Sequence, residues 1–330
     1  MEDLRKLFFN DASRLRSGWR FGIFVVIFFF IAYVATQSLR IIYLLIHNSA
    51  PGLQPGPSVA DLISRFILLF LALGAGYICA RELEGLPWRS LGLTLHTGWL
   101  RDLIVGTIIG LVSLALATAI AFAGGGLQFS FSTASASLVV ITMALSALLF
   151  FVAALAEEAL FRGYPLQTFT RAKLIWVGVL VTSLPFAVGH LDNPNAGKAL
   201  AFVNTVLAGI WLAVAYLRTR SLWFPLGVHW GWNWALGALF GLPVSGTTDI
   251  APHPLLAGSD LGPAWLTGAA YGIEGGIACT VALVISTIFL WRTRLVSATE
   301  DLKKLTSQEN PAAAGDIGVP DRIPAEQSLD

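Results

Sequence analysis

The stretch Leu138–Arg162, LVVITMALSALLFFVAALAEEALFR, is apolar enough to lie inside a bilayer and yet ends in charged residues. From 138 to 156 it contains no Asp, Glu, Lys or Arg, which nearly fits the ~20 residues that a helix needs to cross ~30 Å of hydrocarbon. Glu157, Glu158 and Arg162 follow. An ionised side chain at bilayer depth costs about 2.5–3.5 kcal/mol on insertion scales, so charges in this position usually have a function.

The composition of the whole chain indicates a membrane protein. Of 330 residues, 55% are hydrophobic and only 12% are charged, which leaves too little polar surface to cover a soluble globule. The formal net charge of +1 gives no basic excess for neutralising phosphates, so a nucleic-acid partner is not expected. The two cysteines, Cys79 and Cys279, lie in apolar runs and indicate neither a disulfide framework nor a cysteine metal site.

Hydropathy predicts an all-α polytopic membrane protein, a bundle of about eight transmembrane helices in a bilayer. The fourth helix is longer than one crossing requires, and we expect Pro165 to kink it, because proline removes a helix hydrogen bond. The predicted spans are 20–46, 59–80, 101–123, 137–170, 173–191, 199–217, 221–241 and 272–291.

The distribution of lysine and arginine predicts that both termini are cytoplasmic. Five basic residues lie before or at the start of the first span, whereas the connections at 47–58, 124–136 and 242–271 contain none. Connections that are rich in basic residues alternate with connections that are poor in them along all eight spans. The side with the rich connections is normally cytoplasmic. We expect the 242–271 connection to form a loop or cap on the opposite side.

Three regions are therefore expected along the chain. Residues 1–19 form a cytoplasmic N-terminal segment, and residues 20–296 form the transmembrane bundle. Residues 297–330 are rich in Ala, Pro, Gly and acidic residues without apolar periodicity, which predicts a disordered cytoplasmic tail.

The charges at the end of the fourth span have different surroundings on the helix. Glu158 and Arg162 are four residues apart, so they can pair on one helix face, while Glu157 points about 100° away. One glutamate is then neutralised and the other is left without a local partner. An ion pair of this kind can also serve only to hold helices together.

Polar residues at the same spacing occur on two other spans. Phe186 and His190 share a face of the fifth span, and His229 and Asn233 share a face of the seventh. Counting about 1.5 Å per residue from the turns, Glu157, His190 and Asn233 come to similar depths. A single histidine in a span is often an ordinary core residue, but the combination predicts one intramembrane polar site formed by three helices.

Other polar residues carry less weight. His47, His96 and His253 fall at span ends or in loops, where solvation is the default. Glu274 begins the eighth span and is expected at the interface. Arg40, Arg65 and Lys198 are expected to extend toward the membrane surface or to lie near a span end.

Taken in order, these residues resemble the motifs of the CAAX-protease and bacteriocin-processing (CPBP) family of intramembrane endopeptidases. The strings are EEALFRGY at 157–164, FAVGH at 186–190 and HWGWN at 229–233, in the family's order on apolar helices. The resemblance covers about residues 100–240, which we take as the motif-bearing core.

The resemblance implies a glutamic endopeptidase that hydrolyses peptide bonds with an activated water and without a required metal. In that reading Glu157 is the general base, His190 holds the water, and His229 and Asn233 stabilise the oxyanion. Glu158, Arg162 and Phe186 have supporting roles. The implied substrate is a membrane-associated peptide or protein, which in prenyl-protein endopeptidases of the family is a lipidated CaaX tail.

Two alternatives stay open. Two histidines and a glutamate are also the ligand types of a catalytic zinc site, so a zinc-dependent protease is the competing chemistry. Ionisable residues inside a bundle can instead line the path of a carrier, or remain in a scaffold without turnover. The sequence has no inverted repeat that would favour a carrier.

Overall fold

A computed structural model describes residues 6–10, 14–49, 57–197 and 199–307 of the chain. This part is an all-α polytopic membrane protein, as predicted. Its main helices are α1 (Ser17–Ser49), α2 (Pro57–Glu84), α3 (Trp99–Ala123), α4 (Ala136–Phe161), α5 (Tyr164–Arg171), α6 (Ile175–Val188), α7 (Ala199–Thr219), α8 (Trp223–Trp234), α9 (Ile277–Arg292) and α10 (Glu300–Ser307).

The helices differ in their capacity to cross a bilayer. Within the described residues, five segments are long and apolar enough, namely α1, α2, α3, α4 continued by α5, and α7. Helices α6 and α9 are shorter apolar helices. Helix α8 continues into a π-helical turn at Ala235–Leu239. Each of the eight predicted spans overlaps at least one of these helices, and the protein is an integral multi-pass membrane protein.

The predicted fourth span is broken rather than kinked. Helix α4 ends at Phe161, and α5 begins at Tyr164 with Pro165 in its first turn. Proline fits the first turn of a helix because the N–H that it lacks has no intrahelical partner there. The break therefore lies at Gly163, before the proline, and α5 can leave the axis of α4.

A two-stranded antiparallel sheet adds strand structure that the sequence did not predict. Strand β1 (Leu127–Phe131) follows α3, and β2 (Leu256–Asp260) pairs with it so that Leu127 lies opposite Asp260. Strand β2 belongs to the connection between α8 and α9, which we call the cap segment (residues 240–276). The sheet ties the cap segment to the ends of α3 and α4.

A short helix occupies part of the C-terminal stretch that was predicted to be disordered. Residues Glu300–Ser307 form α10, in which Leu302 and Thr306 are buried. The expectation of disorder from residue 297 is therefore wrong for this stretch, because Leu302, Leu305 and Thr306 recur at helical spacing and give the short helix a face that packs on the bundle. Residues 308–330 lie outside the described residues.

A buried charge cluster joins the helices at one end of the bundle. Glu84, at the end of α2, lies 2.5 Å from Nε of Arg171 and 3.6 Å from Nη1 of Arg20, and it accepts a hydrogen bond of 2.7 Å from Thr168. All four side chains are nearly inaccessible. Since buried charges need partners, this cluster fixes α1, α2 and α5 together.

Glycines bring α3 and α8 into backbone contact. A Cβ atom on Gly110 of α3 would lie 2.1 Å from the carbonyl oxygen of Val228, and one on Gly227 of α8 would lie 2.2 Å from that of Leu103. Gly106 and Gly231 are equally close to the opposite backbone. The two helices thus each use glycines four residues apart, a pattern that permits close packing in membranes. This packing fixes the position of α8, which carries His229.

We expect Gly110→Ala to destabilise the protein by about 1–3 kcal/mol, because the added methyl group has no room beside the Val228 carbonyl. Gly74→Ala is the matched control, since no atom lies within 4 Å of its added Cβ. Unfolding of the detergent-purified variants measures the difference. Equal stability of the two variants would contradict the close packing of α3 on α8.

Candidate active site

The predicted ion pair forms the buried base of the site. Nη1 of Arg162 donates to Oε1 of Glu158 over 3.1 Å, and both side chains are completely inaccessible. The same carboxylate oxygen lies 2.8 Å from Nδ1 of His229, a residue 71 positions away on α8. Because a carboxylate only accepts hydrogen bonds, Nδ1 of His229 carries the hydrogen in this arrangement. Glu158 therefore links α4 to α8.

Arg162 extends this connection to two further helices. Its Nη2 donates to the backbone carbonyl of Gly209 on α7 over 2.9 Å. Its guanidinium lies over the ring of Phe186 on α6, with 4.7 Å from Cζ to the ring centroid. A cation over an aromatic face is stabilised by the ring quadrupole, the more so when water is excluded. Arg162 thus connects α4, α6 and α7, and the Phe186 ring contacts its guanidinium.

Glu157 differs from Glu158 in its contacts and in its exposure. Its Oε2 lies 3.8 Å from Nε2 of His229, and its Oε1 lies 3.6 Å from Nη1 of Arg65 on α2. Both separations exceed hydrogen-bonding distance. The side chain is 16% exposed, whereas Glu158 is inaccessible. Among the described residues, the Glu157 carboxylate accepts no direct hydrogen bond, so its oxygens can receive one from water or substrate.

His190 lies just past the end of α6 rather than on it, which corrects the predicted helix face. The helix ends at Val188, and Pro185 and Gly189 precede the histidine. Its Nδ1 nevertheless lies 2.7 Å from the carbonyl of Phe186, and the two rings lie 4.7 Å apart. Because a carbonyl only accepts, Nδ1 carries the hydrogen, and in the neutral ring Nε2 is an acceptor.

One cavity of about 160 Å³ contains all the predicted catalytic side chains. Glu157, His190, His229 and Asn233 line it, together with Phe186. Glu157 lies on α4, Phe186 on α6 with His190 just past its end, and His229 and Asn233 on α8. The cavity wall is completed by α2, α7, α9 and the cap segment. The structure thus brings these residues together, while their catalytic roles stay predictions.

Tryptophans on α8 fix the direction in which His229 and Asn233 point. Trp230 donates from Nε1 to the carbonyl of Ala147 over 2.9 Å, and Trp234 donates to that of Met143 over 3.0 Å. Both carbonyls belong to α4, the helix that carries Glu157. The two bonds hold α8 in register with α4.

The cap segment closes part of the cavity through Glu274. Its carboxylate accepts hydrogen bonds from Nε1 of Trp232 over 2.9 Å and from the backbone N–H and the hydroxyl of Ser245 over 2.5 and 3.0 Å. Glu274 therefore pins the cap segment to α8. Burial, together with the nearby Glu274 carboxylate, raises the pKa of Tyr271 to about 12, so this cap hydroxyl stays neutral at physiological pH.

Comparison with known proteins identifies the motif-bearing segment. Residues 139–235 match the Rce1-like family of type II CAAX prenyl endopeptidases. This is a protease family, and the match confirms the resemblance inferred from the three motifs. A protein of Escherichia coli described as an uncharacterized 24.3 kDa protein is 36% identical over 95 residues, which make up 28% of this chain. The chain covers 42% of the length of that relative.

Three residues that the sequence did not place in the site contribute to it, and two of them, Arg65 and Glu274, lie outside the Rce1-like segment. Arg65, expected to extend toward the membrane surface or to lie near a span end, comes within 3.6 Å of Glu157. Glu274, expected at the interface, also lines the cavity. Asn204 on α7 holds the backbone around Glu274 in place. Its side-chain amide donates to the carbonyls of Glu274 and Gly276 over 2.8 and 2.9 Å. No local spacing distinguishes these residues, because their partners are distant in sequence.

The side chains of the site include types that can bind metal ions. Across the described ranges, no three His, Cys, Asp or Glu side chains are grouped as metal ligands usually are. Glu157, His190 and His229 have suitable ligand chemistry, so zinc dependence is decided by experiment.

We expect Arg162→Met to destabilise the protein by about 3–5 kcal/mol, because it leaves the Glu158 charge buried with only His229 as partner. Arg65→Met is the control. Its ion pair with Glu157 is long and 37% of the Arg65 side chain is exposed, so its loss should cost less than about 1 kcal/mol. Denaturant unfolding in detergent compares the two, and a larger loss for Arg65→Met would refute the assigned roles.

Proposed function

We propose that the protein is an intramembrane endopeptidase that hydrolyses a peptide bond of a membrane-associated protein or peptide, using a water activated by Glu157. The main support for the proposal is that the adjacent residues Glu157 and Glu158 have different surroundings. Glu158 is buried and bound through Oε1 to Arg162 and His229, whereas Glu157 lines the cavity with both oxygens available to water. The match to a protease family supports the same reaction.

In the proposed first step, Glu157 removes a proton from water, and the oxygen attacks the carbonyl carbon of the scissile peptide bond. His190 supports this step, because its Nδ1 is bound to the Phe186 carbonyl and its Nε2 is left to accept the second hydrogen of the water. A positioned general base contributes about 10²–10⁴ in rate.

The tetrahedral intermediate carries a negative oxygen that needs donors. Asn233 supplies an amide N–H₂ from the cavity wall, and His229 donates from Nε2 when its ring carries both protons. Glu157 then delivers its proton to the leaving nitrogen, and the C–N bond breaks to give a carboxyl and an amine product. Glu158 assists by holding His229 through Nδ1.

We expect Glu157→Gln to lower the turnover of a quenched peptide library by at least about 10²-fold, since the amide cannot take the proton from water. Glu82→Gln is the matched control, because Glu82 is 67% exposed at the far end of α2. Cleavage by the detergent-purified variants measures the effect. Undiminished turnover by Glu157→Gln would refute the proposed base.

Removal of metal ions tests the competing chemistry. We expect cleavage to continue unchanged in the presence of a zinc chelator, and we expect metal analysis to find no stoichiometric zinc. Activity that is lost on chelation and restored by Zn²⁺ would replace the metal-free mechanism with a zinc-dependent one.

A prenylated CaaX tail is the narrower substrate that the family description suggests. A lipidated CaaX reporter, offered beside an unmodified peptide that the enzyme cleaves, tests it. The side from which the cavity is entered bears on this choice.

A further inference from the structure

Basic residues are concentrated at one end of the bundle, which we call the arginine-rich end. Hydrogen bonds join chain segments there that are far apart in sequence. Arg101 donates to the carbonyl of Leu295 over 2.9 Å, and the N–H of Leu222 donates to the carbonyl of Gly92 over 2.9 Å. The described basic residues near this end are Arg14, Arg16, Arg20, Arg81, Arg89, Arg101, Arg171, Lys173, Arg218, Arg220, Arg292, Arg294, Lys303 and Lys304.

The opposite end, which we call the cap end, is poor in basic residues. It consists of residues 124–135, residues 189–197 and the cap segment, which contain no lysine or arginine. These segments contact one another, since β1 pairs with β2 and Asn195 donates to the carbonyl of Ala270 over 3.4 Å. In the sequence of the connections at this end, Lys198 is the one basic residue.

The cavity extends to the cap end. Asp61 near the start of α2, Asn193 after α6, and Thr247 and Ile250 of the cap segment all line it. Asp61 is exposed, and the other three are partly exposed. The arm of the cavity nearest α2 contains Arg65, which is 37% exposed beside Glu157.

Toward the arginine-rich end the site is closed. Glu158 and Arg162 are inaccessible, and beneath them Leu166, Gln167 and Phe224 are 0–1% exposed. The buried cluster of Glu84 with Arg171 lies beyond. Among the residues that the structure describes, a peptide can therefore reach Glu157 from the cap end or from the bilayer beside α2, and not through the arginine-rich end.

We propose that the active site is entered from the non-cytoplasmic side of the membrane. Connections rich in arginine and lysine are retained in the cytoplasm, which places the cap end outside. The substrate is then a peptide segment presented at the outer face or in the outer leaflet, not a lipidated tail in the cytoplasm. This substrate class rests on the proposed function, whereas the orientation itself does not.

Cysteine labelling in intact cells tests the orientation without needing activity. Ser259→Cys at the cap end and Ser297→Cys at the arginine-rich end are matched, isosteric changes at exposed positions. The native Cys79 and Cys279 are buried and give low background. We expect a membrane-impermeant maleimide to label Ser259→Cys in spheroplasts and Ser297→Cys only in inside-out vesicles. The reverse pattern would overturn the proposal.

Cleavage from each side tests the access route. A membrane-impermeant quenched peptide, selected from those that the detergent-purified protein cleaves, is added to spheroplasts and to inside-out vesicles, with Glu157→Gln membranes as background. We expect turnover in spheroplasts and, in the vesicles, only after detergent is added. Turnover confined to sealed inside-out vesicles would overturn the access route.

The two experiments separate the two proposals. If no peptide is cleaved even in detergent, the proposed function fails and the substrate class fails with it, while the labelling result still decides the orientation. If cleavage occurs in detergent and labelling places the cap end inside, the proposed function stands and the outer access route is wrong.

Discussion

The ion pair between Glu158 and Arg162 is the constraint on which the rest of the site depends. Two charges with no access to solvent must be satisfied within the bundle. Arg162 reaches the Gly209 carbonyl and the Phe186 ring, and Glu158 reaches His229. Because these partners come from three helices other than α4, the same contacts that stabilise the charges also assemble the cavity.

In this assembly the adjacent residues Glu157 and Glu158 have different surroundings. A helix rotates by about 100° per residue, so two neighbours cannot both face the same partners. Glu158 faces the buried network, and Glu157 faces the cavity. Close glycine packing of α3 on α8 and the tryptophan hydrogen bonds to α4 then fix His229 and Asn233 opposite Glu157. A carboxylate that is held in place but not hydrogen-bonded is suited to bind and polarise water.

Local geometry explains what could be predicted from the sequence. The pairing of Glu158 with Arg162 follows from their spacing on one helix, and apolar length predicted the helical bundle. The convergence of Glu157, His190 and Asn233 followed from counting residues between turns. His190 was expected on a helix face, yet it lines the cavity from beyond the end of α6, because its ring is bound to the Phe186 carbonyl.

Long-range packing explains what could not be predicted. The bond between His229 and Glu158 joins residues 71 positions apart, and the ion pair of Arg65 with Glu157 joins α2 to α4. The cap sheet pairs strands on either side of five helices, and only β1 (LQFSF) alternates apolar and polar residues, whereas β2 (LAGSD) does not. Glu274 lies among glycines, a context that gives no sign of its contact with Trp232.

The central claim is that Glu158 supports the fold and Glu157 carries the chemistry. The most direct test is the unfolding free energy of Glu158→Gln and Glu157→Gln, measured side by side in detergent. We predict a loss of about 3–5 kcal/mol for Glu158→Gln, because Arg162 is left as an unpaired buried charge, and a much smaller change for Glu157→Gln. A loss for Glu157→Gln that equals or exceeds that for Glu158→Gln would contradict this division.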